Sequence, residues 1–486
     1  MPERSTMSPA NRYEDPRSAW WNPWNWPAGI WVLLIGAFLL ALPFGIRAVM
    51  LAGIPEMAEP FDVDEFVKWD VPAEEDAFTH YRQAADLQAR MVADFKSQGA
   101  EIVEGPADFA VVLEKGWSAA DEPMKRGVLI WLEQNRESLT VWRRGTEKPQ
   151  GRNLSPADVA IDTLLNVIQE QRMFVRLAML EEARLISAGE LEEARQWARA
   201  AYRSGGHVSH RGCLIQGLVG VAIHAPSCVG LARWAEQPGV TSEQLQQALA
   251  EIKSDYGLYE SRSNIMKAEY LAMRNTFTSA KWAQMIAPMD PGQAGASVPM
   301  KMGYWVIGEP ELTMRVFRQM LANQIQEIDK PLSTRRKTVG AGAAMLFDPD
   351  PTVPLLPGQL NPEGIDRGIK RSILIRLLAP SLKSYDNAML RQEAKQAAIE
   401  VLLAAQAYRR DHGEFPEDLS QLVPNYLAAV PLDPCDPAGG PLRYRRDEAV
   451  KAVVWSVGYD RTDGGGDVES ANSQPADVGF VLKSAE

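Results

Sequence analysis

The first strong pattern along the chain is an unbroken apolar run, Pro27 to Ile46 (PAGIWVLLIGAFLLALPFGI), 20 residues without a charge. A helix of that length spans roughly the 30 Å hydrocarbon core of a bilayer. Trp20, Trp21, Trp24 and Trp26 stand just before it, and the amphipathic indole prefers the headgroup zone. A cleaved signal peptide has an apolar stretch of about 7–15 residues and a small-residue cleavage site. The longer run and the 26-residue leader predict instead an uncleaved signal anchor over 27–46. Arg4, Arg12 and Arg17 precede the run; Arg47 and then Glu56, Glu59, Asp62, Asp64 and Glu65 follow it. The positive-inside rule then puts residues 1–26 in the cytoplasm, the anchor in the inner membrane and the bulk of the chain outside the cytoplasm.

Beyond the anchor, apolar positions recur with helical spacing over a region expected to fold as one mainly helical exported domain, 60–366. Glu74-Glu75-Asp76 opens an amphipathic run toward Phe95. Ser155-Pro156-Ala157-Asp158 reads as a helix start, with Ser as N-cap, Pro at the first helical position and Asp near the positive end of the dipole. The helix is expected to run through Leu164, Ile168, Phe174, Leu177, Leu180 and Ala183, and to stop at Ser187-Ala188-Gly189. Glu190 to Tyr202 (ELEEARQWARAAY) starts again, giving an αα-hairpin whose second half resembles the second helix of a tetratricopeptide repeat. No 34-residue period is sustained, so a helical bundle or irregular solenoid is expected rather than a regular array. Thr241-Ser242-Glu243-Gln244 reads as a capping box. Two Pro- and Gly-rich stretches, 286–308 and 331–366, read as long connections around a helix from Glu309 to Glu327. Leu355, Leu356 and Leu360 predict that the second lies against a surface.

Charge narrows the function classes. The chain has 51 basic and 63 acidic side chains, of which four and three lie in the first 47 residues, leaving 47 against 60 beyond the anchor. That excess argues against a nucleic-acid surface and against docking on anionic lipid through a basic patch. Cys213, Cys228 and Cys435 are too few for a disulfide framework. A Cys213–Cys228 bridge needs a chain reversal near Pro226, and the alternative is small buried apolar thiols. His207, His210 and Cys213 (GHVSHRGC), with His224 beyond, include zinc-ligand types. On one helix, however, positions 207 and 213 lie about 120° apart and cannot face one ion. The other reading places these histidines at a helix start. No G-x-S-x-G, H-E-x-x-H, Walker loop or C-x-x-C occurs, and Gly340-Ala341-Gly342 lacks the third glycine of a dinucleotide fingerprint.

The last hundred residues have a different plan. Leu390, Ala394, Ala397, Val401, Ala405 and Tyr408 line one face of a long helix that ends at Asp411-His412-Gly413. A short helix around Leu419, Leu422 and Val423 follows, then proline-rich extended chain, then β candidates at 442–445, 452–457 and 478–482. YRRDHGEFPEDLSQLVPNYLAAVPLDP, then PLRY and WSVGYDRTDGGGD, resembles the soluble part of the major pseudopilin of type II secretion systems. Tyr408, Asp411, Gly413, Pro416, Leu422, Pro431, Asp433, Pro434, Tyr444, Ser456, Gly458, Asp460, Gly464 and Gly465 fall on that family's pattern, over about 385–484. Phe415 stands where the family prefers Tyr, Cys435 where it prefers Trp, and Arg461 where it prefers Gly. The family's prepilin leader is not found, so the resemblance implies a module, 385–486, carried by an anchored protein. The whole chain is also similar to uncharacterised signal-anchored bacterial proteins that end this way.

In the pseudopilin family the final loop binds calcium, so the resemblance implies Asp460, Asp463 and Asp467 as oxygen ligands of a structural Ca²⁺, whose six to eight oxygens glycine-rich backbone helps to supply. The alternative is a solvated glycine turn between two strands. The expectation is therefore a mostly α protein, α+β overall, with one transmembrane helix, a large helical domain and a small pseudopilin-like domain ending in an antiparallel meander. The function expected is a non-enzymatic scaffold or docking protein of the envelope, with protein partners and no nucleic acid. The alternative is an exported, hydrolase-like enzyme with its site in the helical domain.

Overall fold

A computed structural model describes residues 26–97, 109–160, 163, 166–279, 282, 297–339, 344–468 and 477–483. The leader with Trp20, Trp21 and Trp24, the Gly340-Ala341-Gly342 stretch and Leu164 lie outside these. Helix α1 (Ala28–Leu51) contains the apolar run, is 24 residues long and buries none of them. It is long and apolar enough to cross a membrane. It also runs five residues past the expected end, and there Arg47 is turned to the body of the protein. Its guanidinium donates to the Trp305 carbonyl at 2.6 Å and pairs with Glu311 at 2.6 Å.

After a short α2 (Val63–Val67), α3 (Ala77–Ser97) begins where Glu74-Glu75-Asp76 predicts. The Asp76 carboxylate accepts from the Phe78 and Arg152 amides. Then come α4 (Ala110–Lys115), α5 (Glu122–Gln134), α6 (Arg136–Thr146), α7 (Asn166–Ala188), α8 (Leu191–Ser209), α9 (Leu214–Glu236), α10 (Ser242–Asp255) and α11 (Arg262–Thr278). Gly189, at φ +79, makes the α7–α8 turn that the sequence predicts. Helix α8 continues seven residues past Tyr202, through Gly205-Gly206. A methyl group on either glycine would stand 2.5 Å from Tyr259 Oη or 2.6 Å from Leu258 Cβ, so glycine lets the chain after α10 pass close across α8. Thr241 and Gln244 form the expected capping box on α10. Helix α9 is also long and apolar, but most of its apolar window is buried. It is a core helix.

The Ser155-Pro156 start is a correction. Residues 155–160 form turns and α7 begins only at Asn166. The Asn275 amide donates to the Ala157 and Val159 carbonyls, at 2.6 and 2.9 Å, and Val159 is buried beside Cys213 and Ala272. A tertiary contact thus takes carbonyls that a helix would have used.

Helices α12 (Val298–Val306), α13 (Glu311–Gln324) and α14 (Pro362–Arg371), with a two-residue antiparallel pair β1–β2 (Thr338–Val339 and Leu346–Phe347), complete the region next to α1. Leu355 and Leu356 do not lie against a surface as expected; they are exposed, and only Leu360 packs inward. Helix α15 (Ile373–His412) then runs 40 residues, past Pro380, to Gly413 at φ +85. Strands β3 (Arg443–Glu448), β4 (Lys451–Ser456) and β5 (Val478–Lys483) form the expected antiparallel meander in the order β3-β4-β5.

Helix α15 connects the two main cores. Near α1, Ile54, Phe66, Tyr270, Val316, Ile365 and Tyr385 pack together. Farther along, Phe78, Trp142, Tyr202 and Trp234 share one core with Ile399, Leu402, Phe415 and Phe480. The helical region and the C-terminal meander therefore bury their apolar faces against the same helix.

Candidate functional site

The loop after β4 is organised by carboxylates, though not in the way the resemblance implies. Asp460 accepts from its own Thr462 amide at 3.1 Å and is exposed. Asp463 turns back onto the sheet, accepting from Trp455 Nε1 and the Gly465 amide, both at 2.9 Å; those bonds hold its carboxyl below the usual range. Asp467 is exposed. The three do not converge, and among the described residues no group of three His, Cys, Asp or Glu is placed to hold a metal ion. The positive charge among the carboxylates here is Arg443 on β3. Its Nη atoms reach Asp433 at 2.8 Å and Asp436 at 2.9 Å, and its Nε lies 3.6 Å from Asp463.

Two carboxylates that sequence reasoning gave no role hold the loop in place. Asp433 is buried and accepts from Ser456 Oγ, the Val457 amide and the Cys435 amide as well as Arg443. It ties the proline-rich segment to the end of β4. Asp477 is buried at the start of β5 and accepts from the Gly464 and Gly466 amides, at 3.1 and 2.8 Å. Asp433 was visible as a motif position within P-L-D-P; for Asp477 no local signal exists, because its partners lie 11 and 13 residues away across the turn.

Beside this loop, α9, α15 and β5 enclose a groove of about 370 Å³, lined by Val221, His224, Arg391, Gln392, Lys395 and Asp477 among others. Lys395 donates to the Gly479 carbonyl at 3.0 Å and sits 3.8 Å from the Phe480 ring centroid; burial pulls its pKa down to about 8. His224 is buried with Nε2 3.2 Å from Gln396 Oε1. Gln396 uses its NH₂ on Glu400, so its oxygen accepts and His224 carries the proton on Nε2. Burial lowers His224 to about 4. Cys228 Sγ lies 3.6–3.7 Å from the imidazole, and burial pushes its thiol up to about 12. The pair is therefore a neutral thiol on a neutral ring, not the thiolate–imidazolium couple of a nucleophile.

A second groove, about 350 Å³, is lined by Arg335, Arg336, Lys337, Lys383, Asp386 and Arg461 with apolar neighbours. Asp386, pushed up to about 6 by burial, takes both Nη atoms of Arg335 at 2.9 and 3.1 Å. In the helical core Glu182, pushed up to about 7 by burial, is paired with Arg233. Asp386 and Glu182 are thus already held by structural guanidinium partners.

The His207, His210 and Cys213 group is dispersed. His207 lies in the last turn of α8, not at a helix start, with Nδ1 2.8 Å from Tyr81 Oη. His210 caps that helix and faces Glu260 at 3.4 Å. Cys213 is the N-cap of α9. The three cysteines are free and buried. No known family, characterised protein or solved structure matches the chain.

Proposed function

We propose that this protein is a membrane-anchored docking scaffold of the cell envelope, with the C-terminal module as its partner-binding end and no catalytic activity of its own. One observation carries the reading. Helix α15 is a single rod whose first half packs near α1 and whose second half is the core of the meander. Such a module is held at a constant distance and orientation from the membrane, as a docking surface requires and a freely tethered domain does not. The test places photo-crosslinking residues at Leu432, Val450 and Tyr459, which are exposed on the module, in cells that carry the protein natively. Crosslinks to a subunit of a secretion-type assembly, with none from Leu129 or Ile130 on α5, are expected. Equal or absent crosslinking from both sets removes the docking role.

The enzyme reading has one observation in its favour, the depressed Lys395 beside His224 in the groove between α9, α15 and β5. Hydrolytic turnover by the purified full chain that is lost in Lys395→Met would replace the scaffold reading. Calcium at Asp460, Asp463 and Asp467 does not fit the side chains as arranged: Asp463 would have to leave Trp455 and the Arg443 side. Calorimetric titration of calcium into the full chain, with Asp460→Ala/Asp467→Ala as control, decides whether the loop rearranges to bind it.

A further inference from the structure

Helix α12 is next to α1 and is apolar in a place where water would penalise it. Its sequence is VPMKMGYWV, and Val298 and Met302 are 69% and 62% exposed, with Met300 at 36%. It is docked to the body-side end of the membrane helix. The Trp305 ring meets Phe44 edge-on at 5.2 Å and stacks beneath the Arg47 guanidinium at 5.0 Å. Gly308, just after it, abuts Met50 and Leu51. A second exposed apolar segment lies close by. Gly358 touches the Glu56 carbonyl and Met57, and the chain leading into it exposes Val353, Leu355 and Leu356 at 44%, 46% and 37%. Arg371 donates to the Ala52 carbonyl at 2.7 Å, so a cation also sits where α1 enters the body.

We infer that α12 and the 353–356 segment are seated in the lipid bilayer, making a second, in-plane membrane contact around the exit of α1. The inference rests on the anchoring role of α1. If α1 crosses the membrane, its uncharged stretch ends at Ile46, and Phe44 and Arg47 then mark the border of the hydrocarbon. Trp305 contacts both, which puts its indole at the depth where tryptophan is favoured. From Trp305 back to Val298 the helix extends about 10 Å, so the exposed valine and methionines lie within reach of the acyl boundary. Lys301, between the two exposed methionines, can keep its ammonium in the headgroups while its stem stays apolar. An amphipathic element of this kind binds by apolar area in the interface. The occupant is thus the bilayer itself, continuous with the surface that already surrounds α1, and no second protein is needed to cover these side chains. A shallow contact on both sides of the anchor would also set the tilt of the body relative to the membrane.

The test uses the full chain in proteoliposomes, labelled one site at a time with an environment-sensitive fluorophore on an introduced cysteine. Met302→Cys and Leu355→Cys probe the proposed contact. Leu34→Cys on α1 and Ile130→Cys on α5 are the membrane and water references; the native cysteines are buried. Labels at 302 and 355 are expected to shift to the blue, to be quenched by a doxyl group carried on lipid, and to lose quenching by aqueous iodide, as the label at 34 does. Iodide quenching at 302 and 355 equal to that at 130, with 34 still protected, overturns the inference while leaving the anchor intact. Iodide quenching at 34 as well would overturn the anchor on which it depends.

Discussion

The sharpest prediction concerns Glu182, which is fully buried on α7 against Arg233 of α9. Burial outweighs the guanidinium and raises its pKa from 4.5 to about 7. The folded state therefore holds this proton more tightly than the unfolded chain. The group's contribution to stability is fully present below the unfolded value and is lost as pH rises through about 7. A shift of that size corresponds to about 3 kcal/mol. Glu182→Gln imitates the protonated acid at every pH. It should match the wild type near pH 5 and exceed it by up to about 3 kcal/mol near pH 8. The opposite physics gives the opposite sign. If attraction to Arg233 wins, the carboxylate is ionised throughout, and removing it leaves a buried guanidinium unpaired at a cost of about 3–5 kcal/mol. Urea unfolding of the full chain in lipid nanodiscs, with amide exchange read on α7 and α9 across this pH range, separates the two. A variant less stable than wild type at the alkaline end would refute the reasoning.

Three further outcomes follow from contacts described above. Gly479→Ala should be far more damaging than Gly230→Ala: the new methyl would lie 2.0 Å from the Val454 carbonyl oxygen on β4 in one case, and 2.1 Å from the flexible end of Met179 in the other. Overpacking of the first kind should cost about 3 kcal/mol or more and unpair β5, read by amide exchange of Gly479–Lys483. His207 is lowered to about 3 by burial, so its contribution holds above the ordinary histidine range and is lost as pH falls toward 3; His207→Gln should lessen acid destabilisation in that window, measured by melting temperature against pH. Arg443→Gln removes the cation from buried Asp433 and should cost about 3–5 kcal/mol, with faster exchange at the Gly464–Gly466 amides; unchanged stability would mean the carboxylates need no such partner.

What the sequence determined by itself was whatever depends on neighbours a few residues apart. The apolar run of α1 is contiguous in the chain, the Thr241–Gln244 box and the left-handed Gly189 and Gly413 are decided within about one helical turn, and all four are where they were expected. Strands β4 and β5 follow from short β-branched and aromatic runs, and all three strands pair in the expected order. The tertiary structure decided what depends on partners far along the chain. Asn275 turned a sound local helix start at Ser155 into a loop, across about 118 residues. Arg443 and Trp455 claimed Asp463, which the pseudopilin resemblance offered to calcium. Glu182 met Arg233 51 residues away, and α12 found α1 across a gap of some 250 residues. Backbone capping and periodicity are short-range and cheap in entropy, so they show in sequence. Side-chain pairing in a core is set by which helices pack together, and that is a property of the whole fold.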